Sequence, residues 1–374
     1  MKIAFLGIRG VPANYSGFEK CAEELGYRLV QRGHKVYVYC RTQYIDFATS
    51  MYKGMHLIKF PTIQNKYLDT FYHTCISTIH ALLQHFDILL YFNVGNSPLT
   101  LIPTLLGKKN VLNVDGLDWK RDKWGQFAKM YIQLCEYLAT KFPHVFITDS
   151  RVVQSYYQKK FGIKPFYIPY GSEVEIRTAG ENLKRFGLKP QKYILFVGRL
   201  VPENCVHHLI EAYNRAEVQD YKCVIVGDAP YAEEYKSFLR ELAKGNPNIV
   251  FTGYVFGDGY SELGSNAWIF VETSHVGGTH PALIEAMAFG NCVVVNNTEE
   301  NLETIGDAGF YYEGNLGAES LTLVLKELLK KPDLVLEYRN KAKNRAKKVY
   351  SWESVTDDYE HIFQLLIDNH LSEE

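Results

Sequence analysis

Continuous apolar runs alternate with amphipathic stretches along the chain, and the whole series occurs twice. The first series opens with KIAFLGIRG, continues through a helical pattern over 17–31, and returns to an apolar run at HKVYVYC. DILLYFN (87–93), NVLNV (110–114) and HVFITDS (144–150) follow in the same half. The second series opens with KYILFVGRLVPEN, continues through a helical pattern over 206–216, and returns at YKCVIVG. NIVFTG (248–253), WIFVET (268–273) and NCVVVNN (291–297) complete it. Short apolar runs without alternation are strands buried on both faces, and interleaved helices make the sheets parallel. The pattern predicts two doubly wound, Rossmann-like α/β domains. Pro169 and Gly171 interrupt it within FYIPYGSEVE, which sets domains at 1–168 and 169–350. SWESVTDDYEHIFQLLI (351–367) reads as a further helix, and the segment 351–374 is expected to pack back on the first domain.

Composition narrows the picture. The chain of 374 residues is 47% apolar, enough for two cores. A formal net charge of −1 argues against nucleic acid as a partner. Seven cysteines with no C-x-x-C pair read as reduced thiols, which points to a cytoplasmic setting. MKIAFLGIRG is too short an apolar run for a signal peptide. The stretch 75–94 is broken by His80, Gln84, His85 and Asp87 and does not read as a membrane span.

In doubly wound sheets, ligands bind at the carboxyl ends of strands where the strand order reverses. Two such domains are expected to face a central cleft. Among the loops after strands, VGGTHPALIEAMAFG (276–290) is the most informative. Pro281 suits the first helical turn and Gly290 the stop. The exposed N–H groups and dipole of that helix favour an anion, and Gly277 and Gly278 permit close backbone approach. Glu285, one turn in, leans toward the same end. A carboxylate repels a phosphate but accepts hydrogen bonds from hydroxyls, and a nucleotide diphosphate carries both groups. On helical spacing alone, a solvated Glu285 is the simpler account. Arg199 in GRLVPEN (198–204) follows a buried strand and could hold a diphosphate, or simply pair with Glu203.

The first loop, GIRGVPANYSGFEK (7–20), is Gly-rich but is not G-x-G-x-x-G, and CRT (40–42) lacks the acid of a dinucleotide site. Ser16 and Glu19 form the spacing of a capping box. NVDGLDWKRDKW (113–124) groups Asp115, Asp118, Trp119, Lys120, Arg121 and Trp124. Asp115 suits a sugar hydroxyl or proton transfer, whereas Asp118 suits an N-cap equally. Phe127, Met130, Tyr131 and Leu134 follow at helical spacing. They fit core packing first, and a membrane surface second. No D-x-D, H-E-x-x-H or G-x-S-x-G occurs. His207 and His208 lie on adjacent helical faces, and no cysteine is expected beside His275 or His280, so no metal is expected.

GRLVPEN, VGDAP (226–230), FTGYV (251–255) and GGTHPALIEAMAFG together resemble the donor domain of retaining glycosyltransferases of family 4, which have the GT-B fold. GIRGVPANYSGFEK and NVDGLDWKRDKWG resemble bacterial β-1,4-rhamnosyltransferases of surface-polysaccharide assembly. The resemblance implies dTDP-β-L-rhamnose as donor and a glycan or polyprenyl-diphosphate-linked acceptor, at the inner face of the cell membrane. It implies no cofactor. It assigns Glu285 to the ribose and Arg199 to the donor diphosphate. Thr279, His280 and Ala282 fall at phosphate and sugar, Gly253, Tyr254 and Val255 near the base, and Gly17 at the diphosphate. Asp115 falls at a catalytic position, and Asp118, Trp119, Lys120 and Arg121 on the acceptor side. Gly277 replaces the family's first motif glutamate, and Asn204 replaces a lysine. Sugar transfer is the leading expectation. A UDP- or GDP-sugar donor, a nucleotide-sugar epimerase and a non-catalytic nucleotide-sugar-binding subunit remain open at this point.

Overall fold

The computed structural model describes all residues except 14–16, 45–48, 64, 66–67, 121–123, 231 and 371–374. The chain forms two compact units, Met1–Gly171 with Trp352–Glu374, and Ser172–Ser351.

The first unit holds β1 (Lys2–Leu6), β2 (Lys35–Arg41), β3 (Met51–Tyr52), β4 (Met55–Phe60), β5 (Ile88–Phe92), β6 (Asn110–Val114), β7 (Val145–Thr148) and β8 (Phe166–Tyr167). They form one sheet in the order β3-β4-β2-β1-β5-β6-β7-β8. Only β3 and β4 pair antiparallel. Ile3 lies between Val36 and Ile88, so the order reverses beside β1.

The second unit holds β9 (Tyr193–Val197), β10 (Lys222–Val226), β11 (Ile249–Gly253), β12 (Ile269–Glu272), β13 (Cys292–Asn296) and β14 (Phe310–Tyr312). Their order is β11-β10-β9-β12-β13-β14, with every pair parallel. The continuous apolar runs have a direct cause here. Ile194, Phe196, Ile225, Val271 and Val294 pack into a core on one face of the sheet. Leu195, Val224, Val226, Phe270 and Val293 pack into a second core on the other. Alternate side chains point to opposite faces, so a sheet covered on both needs every position apolar. Each fully buried side chain of this size contributes about 1.5–3 kcal/mol.

The helix Trp352–Asp368 belongs to the first unit and packs on the helix Gly17–Gln31. Its buried face is Trp352, Val355, Thr356, Tyr359, Ile362, Phe363 and Leu366, a stripe at three- and four-residue spacing. Gly171 makes room for it, since a Cβ there would lie 2.4 Å from the Trp352 ring. Among the described residues no helix is long and apolar enough to cross a membrane.

Candidate functional site

In the second unit the strand order reverses at β9 and β12, so the loops that leave their carboxyl ends are neighbours. These are the loops of Arg199 and of the glycine stretch. Three contacts tie them together. The His275 N–H donates to the Glu203 carbonyl at 3.2 Å. The Thr273 hydroxyl donates to the Asn204 carbonyl. Cys205 Sγ lies 3.2 Å from His275 Nδ1. That last contact corrects the sequence expectation that no cysteine joins His275.

Arg199 is half-buried, and among the described residues its guanidinium has no ion-pair or hydrogen-bond partner. The pairing with Glu203 open from sequence is not formed. The Arg199 carbonyl accepts from the Val201 N–H at 3.0 Å and from Asn204 Nδ2 at 2.8 Å. The Asn204 amide therefore braces the loop that presents Arg199. The next strand crosses close by. A Cβ on Gly227 would lie 1.9 Å from the Gly198 carbonyl oxygen, and Gly227 has φ +129°, so only glycine fits this crossing.

The glycine loop is anchored at its start. Buried Glu272 accepts from the Ser274 N–H at 3.0 Å and its hydroxyl at 2.6 Å. The helix runs Pro281–Phe289, with His280 at the N-cap and no side-chain cap bond. Pro281 has no N–H, and the Leu283 and Ile284 N–H groups donate to the His280 carbonyl at 3.1 and 3.2 Å, so the first turn offers a ligand chiefly the Ala282 N–H and the helix dipole. Gly290 stops it in the left-handed conformation (φ 77°) and donates to the Ala286 and Met287 carbonyls. Thr279 is buried, Ala282 half-buried, and Gly278 buried beneath the loop. A Cβ on Gly277 would lie 2.6 Å from His280 Cε1, so the imidazole fills the space in front of that glycine.

Glu285 is half-buried, and the Tyr260 hydroxyl donates to its Oε2 at 2.6 Å. It is not the freely solvated helix residue that spacing alone suggests. Burial, and then the Glu285 charge, push the Tyr260 phenol well above its usual range, so it remains a donor. Sequence reasoning missed Tyr260, which lies in GDGYSELGSN on another helix, Gly257–Asn266. Its signal was a lone aromatic in a Gly-rich helix. At the end of β11, Gly253 has φ +71° and its carbonyl accepts from the Gly227 N–H at 2.9 Å. Tyr254 is 51% exposed and Phe256 67%, and their rings stack at 5.6 Å with planes 16° apart. Val255 packs inward against the core. Phe256 was also missed, although it lies two residues beyond Tyr254 and so on the same side of an extended segment.

In the first unit, Gly17 begins the helix Gly17–Gln31. Ser16 lies outside the described residues. Glu19, expected in a capping box, accepts from the Arg9 N–H at 2.9 Å and so braces the first loop. The Asp115 carboxylate accepts from the Gly116 N–H at 2.6 Å. Asp118–Lys120 form a single helical turn. Trp119 and Trp124 pack against the core, with Lys160 Nζ 5.9 Å from the Trp119 ring. Lys120 is exposed, and Arg121 lies outside the described residues. The helix Gln126–Ala139 contradicts the expected core packing. Phe127 is 90% exposed, and Met130, Tyr131, Leu134 and Tyr137 are exposed along the same side. The opposite side, Ile132, Cys135, Glu136 and Ala139, is the buried one.

Residues 180–349 match the family described as "Glycosyl transferases group 1". Residues 180–349 thus resemble group 1 glycosyltransferases, and the fold is GT-B. Residues 99–173 match a domain of unknown function, DUF1972. An uncharacterized glycosyltransferase of Methanocaldococcus jannaschii is 28% identical over 230 residues, 59% of this chain and 58% of the relative. The O-antigen chain mannosyltransferase B of Escherichia coli is 26% identical over 187 residues, 49% of each chain. The chain thus spans about half the length of the curated relatives it matches. Among solved structures, the sucrose-phosphate synthase of Thermosynechococcus elongatus superposes with a TM-score of 0.81 at 16% identity, covering 98% of this chain and 99% of that one. Anabaena HepE in complex with UDP gives 0.78 at 15%, covering 97% and 100%. These two likenesses establish the fold. Within the matched residues 180–349 lie Arg199, Asn204, the residues at 253–255, the glycine loop and Glu285, all toward the carboxyl ends of one sheet.

Proposed function

We propose that the chain is a retaining glycosyltransferase that transfers L-rhamnose from dTDP-β-L-rhamnose to a glycan or lipid-diphosphate-linked acceptor in surface-polysaccharide synthesis. The observation that carries the reading is Arg199, a half-buried guanidinium without an ionic partner among the described residues, on a loop tied to an uncapped helix N-terminus. A half-buried cation with no counter-charge is stabilised when an anion joins it. The diphosphate of a nucleotide-sugar supplies that anion. The UDP-bound structural neighbour and the O-antigen transferase relative support a nucleotide-sugar donor and a polysaccharide product. The rhamnosyl choice rests on the first-domain motifs.

In this reading, Glu285, held by Tyr260, accepts hydrogen bonds from the ribose. Gly253, Tyr254 and Val255 meet the base, and exposed Tyr254 and Phe256 offer a ring face. Gly17, Gly277, Gly278, Thr279, His280 and Ala282 line the diphosphate and sugar. Asp115, Asp118, Trp119, Lys120 and Arg121 serve the acceptor. The bond from the anomeric carbon to the diphosphate oxygen breaks to an oxocarbenium-like state. Arg199 and the helix N-terminus stabilise the departing charge. The acceptor oxygen bonds to the same face of the anomeric carbon, and its proton passes to the leaving phosphate oxygen. Arg199 and the helix end meet the diphosphate charge in this scheme, so no resident metal is assigned to the step.

A lipid-linked acceptor also gives the exposed apolar side of Gln126–Ala139 a use. Such a stripe lies flat in a membrane interface, where it contacts acyl chains without spanning them. We propose peripheral contact at the inner face of the membrane on this ground.

The test is calorimetric titration with dTDP, UDP and GDP, each free and as a sugar conjugate, followed by product analysis with lipid-diphosphate acceptors. Selective binding of dTDP-rhamnose and transfer with retained configuration is the expected result. Selective binding of UDP or GDP would overturn the donor. Acceptor-free isomerisation seen by NMR would establish an epimerase. Tight binding with no turnover on any acceptor would establish a binding subunit.

A further inference from the structure

The first turn of the helix Val206–Ala216 gathers ligands that sugar transfer does not use. Cys205 is its N-cap, with φ 46° and ψ 36°. A non-glycine residue rarely adopts this conformation, and cysteine is not among those that favour it. Cys205 is buried, and His207 and His208 follow within the first turn. One ligand atom from each of these three residues lies within 4.8 Å of the other two. Adjacent residues on a helix ordinarily point apart. Here the cap residue stands beside the first turn, and the two imidazole rings lie 4.5 Å apart, centre to centre. His275 arrives from the glycine loop, with Nδ1 3.2 Å from Cys205 Sγ.

We propose that Cys205, His207, His208 and His275 form a binding site for a soft divalent cation, with zinc the ion of best fit. One thiolate and imidazoles are the ligands that zinc takes, in tetrahedral geometry. Bond lengths of about 2.3 Å to sulfur and about 2.0–2.1 Å to nitrogen place ligand atoms roughly 3.4–3.6 Å apart. The Cys205–His275 pair stands near that spacing, and one ligand atom each of His207 and His208 lies within 4.8 Å of Cys205 Sγ. Both helical imidazoles are already oriented. His207 Nδ1 lies 2.8 Å from the Tyr235 hydroxyl, and His208 Nδ1 lies 3.1 Å from the Tyr312 hydroxyl. Such hydrogen bonds to one ring nitrogen fix a metal-bound imidazole. A surface depression lined by His207, His208, Glu211 and Gly317 gives an ion access. A Cβ on Gly317 would lie 3.0 Å from His208 Nε2, so glycine keeps that approach open. On binding, the Cys205 S–H bond is replaced by a sulfur–metal bond, and the proton leaves to solvent.

The ion would lock the loop of Arg199 to the loop of Thr279 and His280. That consequence rests on the donor reading, whereas the metal site itself does not.

The experiment adds cobalt(II) to the full chain, freed of metal by chelation, and follows its visible spectrum. Zinc is then titrated in to displace it. One ion per chain with a thiolate-to-cobalt charge-transfer band is expected. The band disappears in Cys205→Ser and persists in Cys292→Ala, a buried strand cysteine. His275→Gln and His207→Gln each weaken binding, and Tyr235→Phe weakens it by about 10–100-fold. Circular dichroism of each variant separates loss of ligand from loss of fold. No cobalt spectrum from the folded chain, or the same spectrum from folded Cys205→Ser, would overturn the proposal. Neither result depends on nucleotide, so failure here is distinct from failure of the donor titration.

Discussion

Glu285 sits one turn inside its helix with the Tyr260 hydroxyl 2.6 Å from Oε2. A carboxylate held in this way is pre-oriented, which lowers the cost of fixing it on a ribose. Glu285→Ala is expected to weaken nucleoside-diphosphate affinity strongly. Tyr260→Phe, which keeps the carboxylate but removes this hydrogen bond, is expected to weaken it by about tenfold, or ~1.4 kcal/mol. Unchanged dissociation constants in both would remove Glu285 from the site. Arg199 carries a different expectation. Arg199→Ala is expected to lower kcat by on the order of 10²–10³, since one preorganised group facing a developing charge is worth that much. Near-native turnover would end its assigned role. The type and place of both residues were legible in GRLVPEN and the Pro-to-Gly helix. Their partners were not. Tyr260 is 25 positions away from Glu285 and reaches it only through packing. Cys205 is 70 positions from His275. A linear pattern carries no sign of such pairs.

At the scale of elements, periodicity served well wherever burial was two-sided. The central strands of both sheets stood out because every position is apolar. β3, β8 and β14 lie at sheet edges and are two or three residues long, so they left no comparable run. The helix Gln126–Ala139 shows the limit of the method. It has apolar residues on two sides, and spacing cannot say which side meets the core. The terminal helix Trp352–Asp368 docks partly through charge. Arg32 contacts Glu353 at 2.9 Å, Asp357 at 2.7 Å and Glu360 at 2.8 Å, and His34 Nε2 lies 2.6 Å from Glu360 Oε1. Arg32 holds the Glu353 carboxyl below its ordinary range, and His34 followed by Arg32 does the same for Glu360. The sign follows from linkage. Folded-state values below the unfolded ones mean that the unfolded chain binds more protons in that interval. The contribution is complete above the unfolded value of about 4.3 and is lost as pH falls through the lowered values. Amide protection factors over 352–368, which remove the intrinsic pH dependence of exchange, should therefore fall below about pH 4. Arg32→Gln should flatten that dependence in part, since Arg28 still pairs with Glu353 and His34 with Glu360, and an unaltered profile would remove Arg32 from it. Glu353 is well exposed, so high salt should blunt the effect.

Over the whole molecule, the two series of runs became two units, but the chain does not divide into them in one cut. Trp352–Glu374 returns to the first unit after the second is complete. The exposed apolar stripe of Gln126–Ala139 bears on where the molecule works. Flotation with anionic vesicles is expected for the native chain. Replacement of Phe127, Met130 and Leu134 by serine is expected to lower the bound fraction at least about tenfold, or ~1.4 kcal/mol, with nucleotide binding retained. Equal flotation of both proteins would remove the membrane contact from the proposal.

By itself, the sequence determined the doubly wound class, the places of the central strands and the residue types at the ends of β9 and β12. Those properties are local, since burial on both faces, helix capping and strand-end position are each written in neighbouring residues. Tertiary structure alone decided that Arg199 has no ionic partner among the described residues, that Tyr260 holds Glu285, that His280 covers Gly277, and that Cys205 meets His275. It also decided which side of Gln126–Ala139 faces outward. These outcomes depend on what comes near from distant parts of the chain, and packing fixes that only when the sheets close.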